Sequence, residues 1–415
     1  MLDYIIIGGG VAGLTFGYLL KSFRPQAKFV IVERGDPLER RVCPHIVHGI
    51  CNCSQCNILH GIGGGGFFSD GKIVEGSGWY IEGYTKDTIN AASSFLVDKI
   101  LGLYPNYILY NPWMNSQLEQ VIDRISSAGF DVSIRKTYWY GTEEIRKFTK
   151  ILMEKLKRHI FYDTVVKVKH APSGDSYDVV LRMGGKLNAK NVIIATGRYF
   201  DWSSLFVDTD IVIRYMEVSP HVGVRVEVEG NPFESLSSVF YDIKLYKYGV
   251  RSFCFNPYGV VIQERHPNGN VSVNGFSYRY YKTRWTNFAV IGPEIPYTPT
   301  KIPRFVSLNK IDERFKEVRK VSLKGVLNDN TLLQKLPDNI ISFLMDMFDL
   351  ADVPRKEVGG VIYYPEIKLA VKKPQIERFN VLNEKIYFIG ESTGRIVGIW
   401  ASMISSILLA NELMI

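Results

Sequence analysis

The stretch that most constrains the fold lies at the start of the chain. An apolar run at residues 4–7 predicts a buried strand, a helical pattern covers residues 12–22, and a second apolar strand is predicted at residues 29–32. Between the first strand and the helix, three glycines have the spacing Gly-x-Gly-x-x-Gly. A strand, a glycine-rich turn, a helix and a second strand form the βαβ unit that binds dinucleotides. The sequence therefore predicts an adenine dinucleotide at this turn.

Each glycine of the turn is expected to have its own role. Gly8 allows the tight turn after the strand, Gly10 lets the backbone approach a pyrophosphate, and Gly13 lets the helix lie close to the sheet. The free N–H groups at the start of the helix, around Ala12, would then face the phosphates. Glu33, 20 residues after Gly13, is expected to bind the ribose hydroxyls and would repel a 2′-phosphate. The alternative is a glycine-rich turn that serves packing alone.

Length and charge limit the classes of protein that fit. A chain of 415 residues exceeds one compact core, so two domains, or one domain with large insertions, are expected. No apolar run reaches the ~20 residues that span a bilayer, and the first strand leaves no room for a signal peptide, so we expect a cytoplasmic protein. The net charge of +8 comes from scattered basic residues. We therefore expect a small-molecule substrate rather than a nucleic acid or membrane partner, and a homo-oligomer is compatible with the sequence.

A second glycine-rich segment, HGIGGGGFFSDGKI, covers residues 60–73. Because so many glycines destabilise both helices and strands, the segment predicts backbone that is held close to a ligand. A flexible loop is the alternative. The candidate residues of this loop for contact with a cofactor are Gly63, Gly64, Gly65, Gly66, Ser69, Asp70 and Lys72.

The rest of the chain mixes predicted helices and strands. Helices are predicted at residues 87–104, 114–128 and 143–158, the last with Thr142 as its N-cap, and strands at residues 160–169, 177–183 and 192–195. Residues 211–300 alternate in the manner of an antiparallel sheet, and residues 305–350 look mixed and end in a helix at 339–348. Near the C-terminus, a strand at residues 386–389 leads through Gly390 and Glu391 into an apolar helix that is expected to begin near Gly394.

Three separated pieces together indicate the cofactor. The N-terminal fingerprint, the turn formed by Ala195, Thr196 and Gly197, and the C-terminal strand, Gly-acid and helix unit have the layout of two-dinucleotide-domain flavoproteins. The chain thus resembles the glutathione-reductase-like FAD superfamily. Within it, the strings CNILHGIGGGGFFSDGKI, HVGVRVEV, VRSFCFNPYGVV, VSVNGFSY, KTRWTNFAV and GGVIYYPEI resemble the uncharacterised FAD-dependent dehydrogenases labelled NAD(FAD)-utilising dehydrogenases. The resemblance implies FAD and redox chemistry, but no particular substrate.

The resemblance also implies an architecture. An α/β fold is expected, with a discontinuous Rossmann-like FAD-binding domain at residues 1–75, 155–200 and 355–415. A second α+β substrate domain, built around an antiparallel sheet, is expected at residues 76–154 and 201–354. Ser69 or Lys72 is expected to hydrogen-bond flavin N5 or O4, and the helix near Gly394 to direct its positive end at N1 and O2. Glu391 stands where related flavoproteins usually carry an Asp that binds a ribityl hydroxyl. The further residues expected to contact FAD are Arg34, Val166 and Ile399.

The expected activity is transfer of a hydride or of two electrons between flavin and an organic substrate. Candidate catalytic residues are Lys72, Cys254 and His221, each with a structural alternative. No second fingerprint follows a strand, so NAD(P)H as a co-substrate would have to bind without one. Rival hypotheses are a flavin-dependent RNA-modifying or RNA-binding protein and an isoprenoid reductase at a membrane surface. Candidates in the substrate pocket are Asn274, Ser277, Tyr278, Lys282 and Asn287.

A cluster of cysteines is left open by the sequence. Cys43, Cys51, Cys53 and Cys56 lie within fourteen residues, with His45, His48 and His60 nearby. They could bind zinc or an iron–sulfur cluster, form a redox-active pair such as Cys53 and Cys56, or be inert thiols, and a metal is the less favoured reading.

Overall fold

The computed structural model describes residues 1–51, 53, 55–218, 221–292, 316–328, 336–368 and 371–415. Two large sheets with packed helices organise these residues. One sheet is mixed, with a parallel centre and antiparallel outer strands, and the other is antiparallel. The predicted α/β fold class is therefore confirmed. The α-helices lie at Val11–Phe23, Pro44–His48, Lys86–Phe95, Leu118–Ser127, Gly141–Leu156, Glu234–Ser237, Leu323–Asn328, Asp338–Leu350 and Ile399–Glu412.

The first sheet has a parallel centre. Its strands lie in the spatial order Ile376–Glu377, Asn380–Val381, Ile386–Phe388, Lys186–Ile194, Leu2–Ile7, Phe29–Glu33 and Ile160–Tyr162, with Tyr177–Leu181 and Val165–His170 continuing from Lys186–Ile194. Leu2–Ile7 pairs in parallel with Lys186–Ile194 and with Phe29–Glu33. Successive side chains of these strands enter two different cores, so Ile6 packs with the long helices and Ile5 packs on the opposite face. Burial on both faces explains why the strands are continuously apolar.

The second sheet is antiparallel throughout. Its strands lie in the order Arg319–Ser322, Gly360–Lys368, His221–Glu229, Trp285–Gly292, Val250–Asn256, Leu245–Lys247 and Asp131–Val132. Helix Asp338–Leu350 covers one face of this sheet and shares its core. The remaining strands form smaller sheets: Val260–Arg265 with Val271–Phe276, Tyr215–Val218 with Val371–Pro374, and Lys72–Val74 with Thr137–Trp139 and Ile108–Tyr110.

Two segments cross the predicted domain division. Helix Gly141–Leu156 shares the core of the first sheet with helices Val11–Phe23 and Ile399–Glu412, although residues up to 154 were assigned to the substrate domain. Strand Gly360–Lys368 pairs within the second sheet, although residues from 355 were assigned to the cofactor domain. The predicted division stays a prediction, and these contacts favour moving both boundaries.

Two predicted helix starts are wrong. Thr142 is not an N-cap, because it lies inside helix Gly141–Leu156 and its buried hydroxyl donates to the carbonyls of Ser69 and Ser277. The last helix begins at Ile399 rather than near Gly394. Gly394 and Gly398 have φ angles of +63° and +92°, so the chain turns at both before it can become helical. The parts of predicted elements at residues 219–220, 293–315 and 329–335 lie outside the described residues.

None of the helices in the described part of the chain combines the length and hydropathy needed to cross a bilayer.

Candidate functional site

A cleft of about 310 Å³ lies at the carboxyl ends of the central strands of the first sheet. In open α/β sheets this is the edge at which ligands bind. Its other walls come from the glycine loop, the C-terminal turn and the second sheet. The predicted cofactor residues that line it are Gly8, Gly10, Ala12, Glu33, Arg34, Gly63, Gly64, Gly65, Gly66, Ser69, Ala195, Thr196, Gly197, Gly390, Glu391 and Ile399.

Besides Lys72, four other predicted cofactor residues lie outside the lining of the cleft. Gly13 packs in the turn, where an added Cβ would lie 2.0 Å from the carbonyl oxygen of Gly8. Gly394 packs against the backbone of Lys373, which an added Cβ would approach to 2.8 Å. Because side chains alternate along a strand, Val165 lines the cleft in place of the exposed Val166. The fourth, Asp70, belongs to a buried polar network.

The first turn is built by close backbone packing and by one carboxylate. Gly8 has a φ of +111°, and an added Cβ would lie 2.5 Å from the carbonyl oxygen of Ala195. Glu33 accepts hydrogen bonds from the N–H of Gly9 at 2.7 Å and from the N–H of Gly35 at 2.8 Å. The buried carboxylate therefore ties the end of the second strand to the turn.

Two helix N-termini face the cleft. Helix Val11–Phe23 begins after Gly10 and helix Ile399–Glu412 after Gly398, and among the described residues no side chain caps either of them. The first N–H groups of each helix therefore lack intrahelical partners, and these ends bind negatively charged or electron-rich groups well. Both N-termini contribute residues to the lining of the same cleft.

The glycine loop lies directly against the first turn. Gly63 donates its N–H to the carbonyl of Gly9 at 2.8 Å, and Gly10 and Gly63 form an isolated parallel bridge. Of the atoms that the structure describes, an added Cβ at Gly65 would meet none within 4 Å, and at Gly10 it would meet only the Cα of Gly64 at 3.9 Å. Packing within the described protein therefore does not require glycine at Gly10 or Gly65. A cofactor bound against this backbone would explain why both positions lack a side chain.

Arg41, which the sequence did not single out, holds this loop in place. Its buried guanidinium donates to the carbonyls of Asn57, Ile58 and Ile62. It also lies over the ring of Phe67, with 4.9 Å between the guanidinium carbon and the ring centroid. An arginine with several carbonyl acceptors fixes backbone well, because its fork of donors is rigid.

The C-terminal turn is held by a partly buried ion pair. Glu391 accepts from the Nε of Arg198 at 2.9 Å and from the N–H of Gly398 at 2.9 Å. Burial alone would raise the pKa of Glu391, but the Arg198 guanidinium outweighs burial and the pKa is lowered. The pair joins the end of a first-sheet strand to the start of the last helix. Arg198 directly follows the Ala-Thr-Gly turn, which is the signal in the sequence that could have identified it.

Lys72 lies in the polar network with Asp70, beside the cleft rather than in its lining. Its Nζ is 3.0 Å from Asp70 and 3.3 Å from Asp242, and it donates to the carbonyl of Phe255. Burial would lower the pKa of Lys72, but Asp70 and Asp242 raise it, so the ammonium stays charged. Because these partners already bind the ammonium, we infer a structural role for Lys72. Its bond to the carbonyl of Phe255 links the end of the glycine loop to the second sheet.

Cys254 lines the cleft and has a left-handed backbone, with a φ of +51°. Asn256 donates to its carbonyl at 2.8 Å and Arg225 at 3.3 Å, so buried side chains hold this conformation. His221, the other second-sheet candidate, begins its strand and lies outside the lining of the cleft. Burial, with help from Arg251, lowers its pKa to about 4, so it is neutral at neutral pH.

The candidates for a substrate pocket separate. Asn274 lines the cleft. Ser277 accepts from or donates to Tyr241 and donates to Asp70 in the buried network, and Asn287 accepts from Arg225 at 2.9 Å. The Nζ of Lys282 lies 5.2 Å from the ring of Tyr258, outside the cleft. Tyr278 packs at the edge of the core of the first sheet.

All five cysteines are free thiols. Within the described part of the chain, no group of three or more His, Cys, Asp or Glu is arranged to bind a metal ion. Cys43 and Cys56 are buried, and burial raises the pKa of Cys56 to about 11, so its thiol is protonated at neutral pH. A redox-active pair such as Cys53 and Cys56 stays a prediction.

The structure adds cleft residues that the sequence did not indicate: His60, Arg198, Tyr199, Phe200, Phe253, Glu264, Gly275 and Lys368. Burial, reinforced by Arg34, lowers the pKa of His60 to about 3. The ring is therefore neutral, and its Nδ1 accepts a hydrogen bond from Arg34 at 2.8 Å. This contact fixes Arg34 at the end of the cleft next to Glu33.

Buried histidines predict how stability depends on pH. Burial lowers the pKa of both His60 and His266 to about 3, whereas an exposed histidine titrates at about 6.5. Between these values the unfolded chain binds more protons, so stability is expected to fall as the pH is lowered, by up to about 1.4 kcal/mol per pH unit for each histidine. His266→Gln should flatten this acid slope in denaturant unfolding across that range. The exposed His48→Gln serves as the control, and an unchanged slope for His266→Gln would contradict the assignment.

Comparison with known proteins gives neither a matching family model nor a matching curated protein. Solved structures resemble the chain over its full length at low similarity. A protein of Photorhabdus luminescens subsp. laumondii TTO1, provisionally assigned as a FAD-containing monooxygenase, is 10% identical with a TM-score of 0.45 and 88% of its chain covered. The tetracycline destructase Tet(55) is 11% identical, with a TM-score of 0.42 and 81% covered, and CtdE in complex with FAD and substrate 4 is 11% identical, with a TM-score of 0.41 and 85% covered.

Proposed function

We propose that the protein is a FAD-dependent oxidoreductase that moves a hydride or two electrons between the flavin and an organic substrate. The observation that carries the proposal is the convergence of two uncapped helix N-termini and a bare glycine loop on one cleft. These elements come from opposite ends of the chain. A ligand with a pyrophosphate and a second electron-rich group would satisfy both N-termini.

The residues present fit FAD along the length of the cleft. The turn at Gly8 and Gly10 would hold the pyrophosphate, and Glu33 the adenosine ribose, because its carboxylate is already fixed by two backbone N–H groups. The buried hydroxyl of Thr196 lines the cleft and has no hydrogen-bond partner in the described structure. Such an orphaned polar atom is expected to bind a ligand.

Glu391 and the last helix would hold the other half of the cofactor. The carboxylate is fixed by Arg198 and by the N–H of Gly398, and the N–H groups at the start of helix Ile399–Glu412 favour negative charge in front of them. When bound, FAD supplies the transfer of a hydride or of two electrons. The protein then supplies position, a charged environment and shelter from water. Phe253 and Cys254 of the second sheet form the wall at which a substrate would lie.

The proposal is tested by the absorption spectrum and redox behaviour of the purified protein. We expect the flavin bands of bound FAD, identified by mass after release, and their bleaching under anaerobic conditions by dithionite. The same bleaching by NADH or NADPH would identify a physiological donor, since NAD(P)H remains a proposed co-substrate. A colourless protein that takes up no FAD on incubation would contradict the proposal.

A further inference from the structure

One carboxyl group on the second-sheet side of the cleft is arranged for proton transfer. Glu264 lies on strand Val260–Arg265, lines the cleft and is 1% exposed. Its Oε1 accepts a hydrogen bond from the Nδ2 of Asn274 at 2.7 Å. Its Oε2 is buried and has no hydrogen-bond partner among the described residues. A buried polar atom without a partner is costly, so its presence in a cleft points to a ligand.

The hydrogen bonds of Asn274 decide which oxygen of Glu264 carries a proton. The Oδ1 of Asn274 accepts from the N–H of Gly275 at 2.8 Å, so the side-chain amide cannot be turned round without losing that bond. The Nδ2 group must therefore donate to Oε1. In the acid form the proton then belongs on Oε2, which is the oxygen left free for a substrate.

A positive charge stands beside this carboxyl group. Lys368 lines the same wall, with its Nζ 4.9 Å from the centroid of the Phe253 ring. Among the described residues, the carboxylate that pairs with Lys368 is Glu366 at 3.9 Å, but both oxygens of Glu366 already accept from Arg225 at 2.9 Å. Much of the charge of Lys368 is thus left for the cleft.

We propose that Glu264 is the acid–base residue of this cleft. With the support of Asn274 and Lys368, it selects substrates in which a carbonyl or carboxylate group includes, or is attached to, the carbon that exchanges hydride. The inference rests on the proposed flavin function. In the reducing direction, bound reduced FAD would supply the hydride for the new C–H bond, and the π electron pair of the substrate would move to the neighbouring atom. That atom of the substrate takes the proton from Oε2 of Glu264. Lys368 then stabilises the carboxylate that forms on Glu264. Oxidation of the substrate is the reverse, with Glu264 as the base.

The surroundings of Glu264 favour the acid form. Burial raises the pKa of Glu264, and the negative charge of Glu366 raises it further. Lys368 and Asn274 lower the pKa, but burial outweighs them, so the pKa stays above its ordinary value. Burial also raises the pKa of Tyr199 and of Cys56, so both are neutral at neutral pH. The charged or titratable groups that face Glu264 are Lys368, Glu366, Arg225, Tyr199, Cys43 and Cys56.

The first measurement is an infrared titration of the full-length, flavin-loaded protein. We expect a carboxylic-acid carbonyl band that shifts in D₂O and disappears only above the pH range of an ordinary glutamate. Burial also raises the pKa of Asp70 and of Glu227, so Glu264→Gln should remove one component of this band rather than all of it. That component should be kept in Glu227→Gln, a control at a partly buried glutamate that accepts from Tyr363. A band that titrates identically in Glu264→Gln would overturn the assignment of Glu264.

The second measurement uses benzoate as a probe and follows the change in the flavin absorption spectrum. We expect benzoate to bind more tightly as the pH falls through the titration of the infrared band, and to bind about 10-fold more weakly to Lys368→Met. Lys320→Met is the control, because that lysine also lies over an aromatic ring, Tyr363, but on the far strand of the sheet. Binding that is independent of pH, or unchanged in Lys368→Met, would overturn the subsite. Failure to load any flavin would instead contradict the proposed function, and the same infrared titration of the flavin-free protein would then test Glu264 separately.

Discussion

Gly10→Ala is expected to weaken FAD binding by about 100-fold, about 2.7 kcal/mol, while the fold is retained. The backbone at Gly10 has a φ of −74° and a ψ of −173°, which alanine adopts readily. Its Cβ would have no protein neighbour closer than the Cα of Gly64 at 3.9 Å. Any loss therefore comes from the ligand that the turn holds. The measurement is the dissociation constant of FAD for the apoprotein, together with the thermal unfolding of that apoprotein.

Two further substitutions separate cofactor binding from folding. Gly185→Ala, in a surface hairpin where the nearest side chain is Leu181 at 3.5 Å, should change neither quantity. Gly13→Ala should damage the fold itself, because its Cβ would lie 2.0 Å from the carbonyl oxygen of Gly8. If Gly10→Ala binds FAD as the wild type does, the pyrophosphate does not lie at this turn.

Arg225→Met is expected to lower the free energy of unfolding by about 3 to 5 kcal/mol, because it leaves the carboxylate of Glu366 buried without its partner. The guanidinium is completely buried and makes two 2.9 Å hydrogen bonds with Glu366, as well as one of 2.9 Å to Asn287. It also supports the left-handed backbone at Cys254 through the carbonyl. Denaturant unfolding followed by circular dichroism measures the effect.

The matched control for this pair is Arg355→Met, since Arg355 pairs with Asp349 at the surface. That change should cost less than about 1 kcal/mol. The double variant Arg225→Met with Glu366→Leu should recover part of the loss, because no buried charge then lacks a partner. A cost for Arg225→Met as small as that of the surface control would contradict the account of the second sheet.

The sequence predicts best what neighbouring residues determine. The first βαβ unit is found within one residue or two of its predicted bounds, because the strand, the turn glycines and the helix are encoded within one short stretch. The predicted start of the last helix is wrong, because the local sequence pattern does not show that Gly394 and Gly398 adopt positive φ angles. Such angles depend on what packs around the turn.

Contacts between distant segments could not be predicted. Lys72 stands in a glycine loop typical of cofactor contact, yet two carboxylates bind its ammonium, and one of them, Asp242, lies shortly before strand Leu245–Lys247. The pairing of Glu264 with Asn274 depends on the register of a hairpin, and the position of Lys368 beside them depends on a strand about a hundred residues later. Single residues of this kind carry no local pattern, so they are found only once the strands are placed.

The central claim is that the first turn and the last helix hold one FAD molecule between them. The most direct test is a crystal structure of the protein after incubation with FAD. The account predicts electron density for the pyrophosphate at the N–H groups that follow Gly10, and density for the flavin half near Glu391 and Ile399 at the start of the last helix. A cleft that stays empty at a saturating concentration of FAD, or a flavin bound elsewhere on the chain, would contradict this claim.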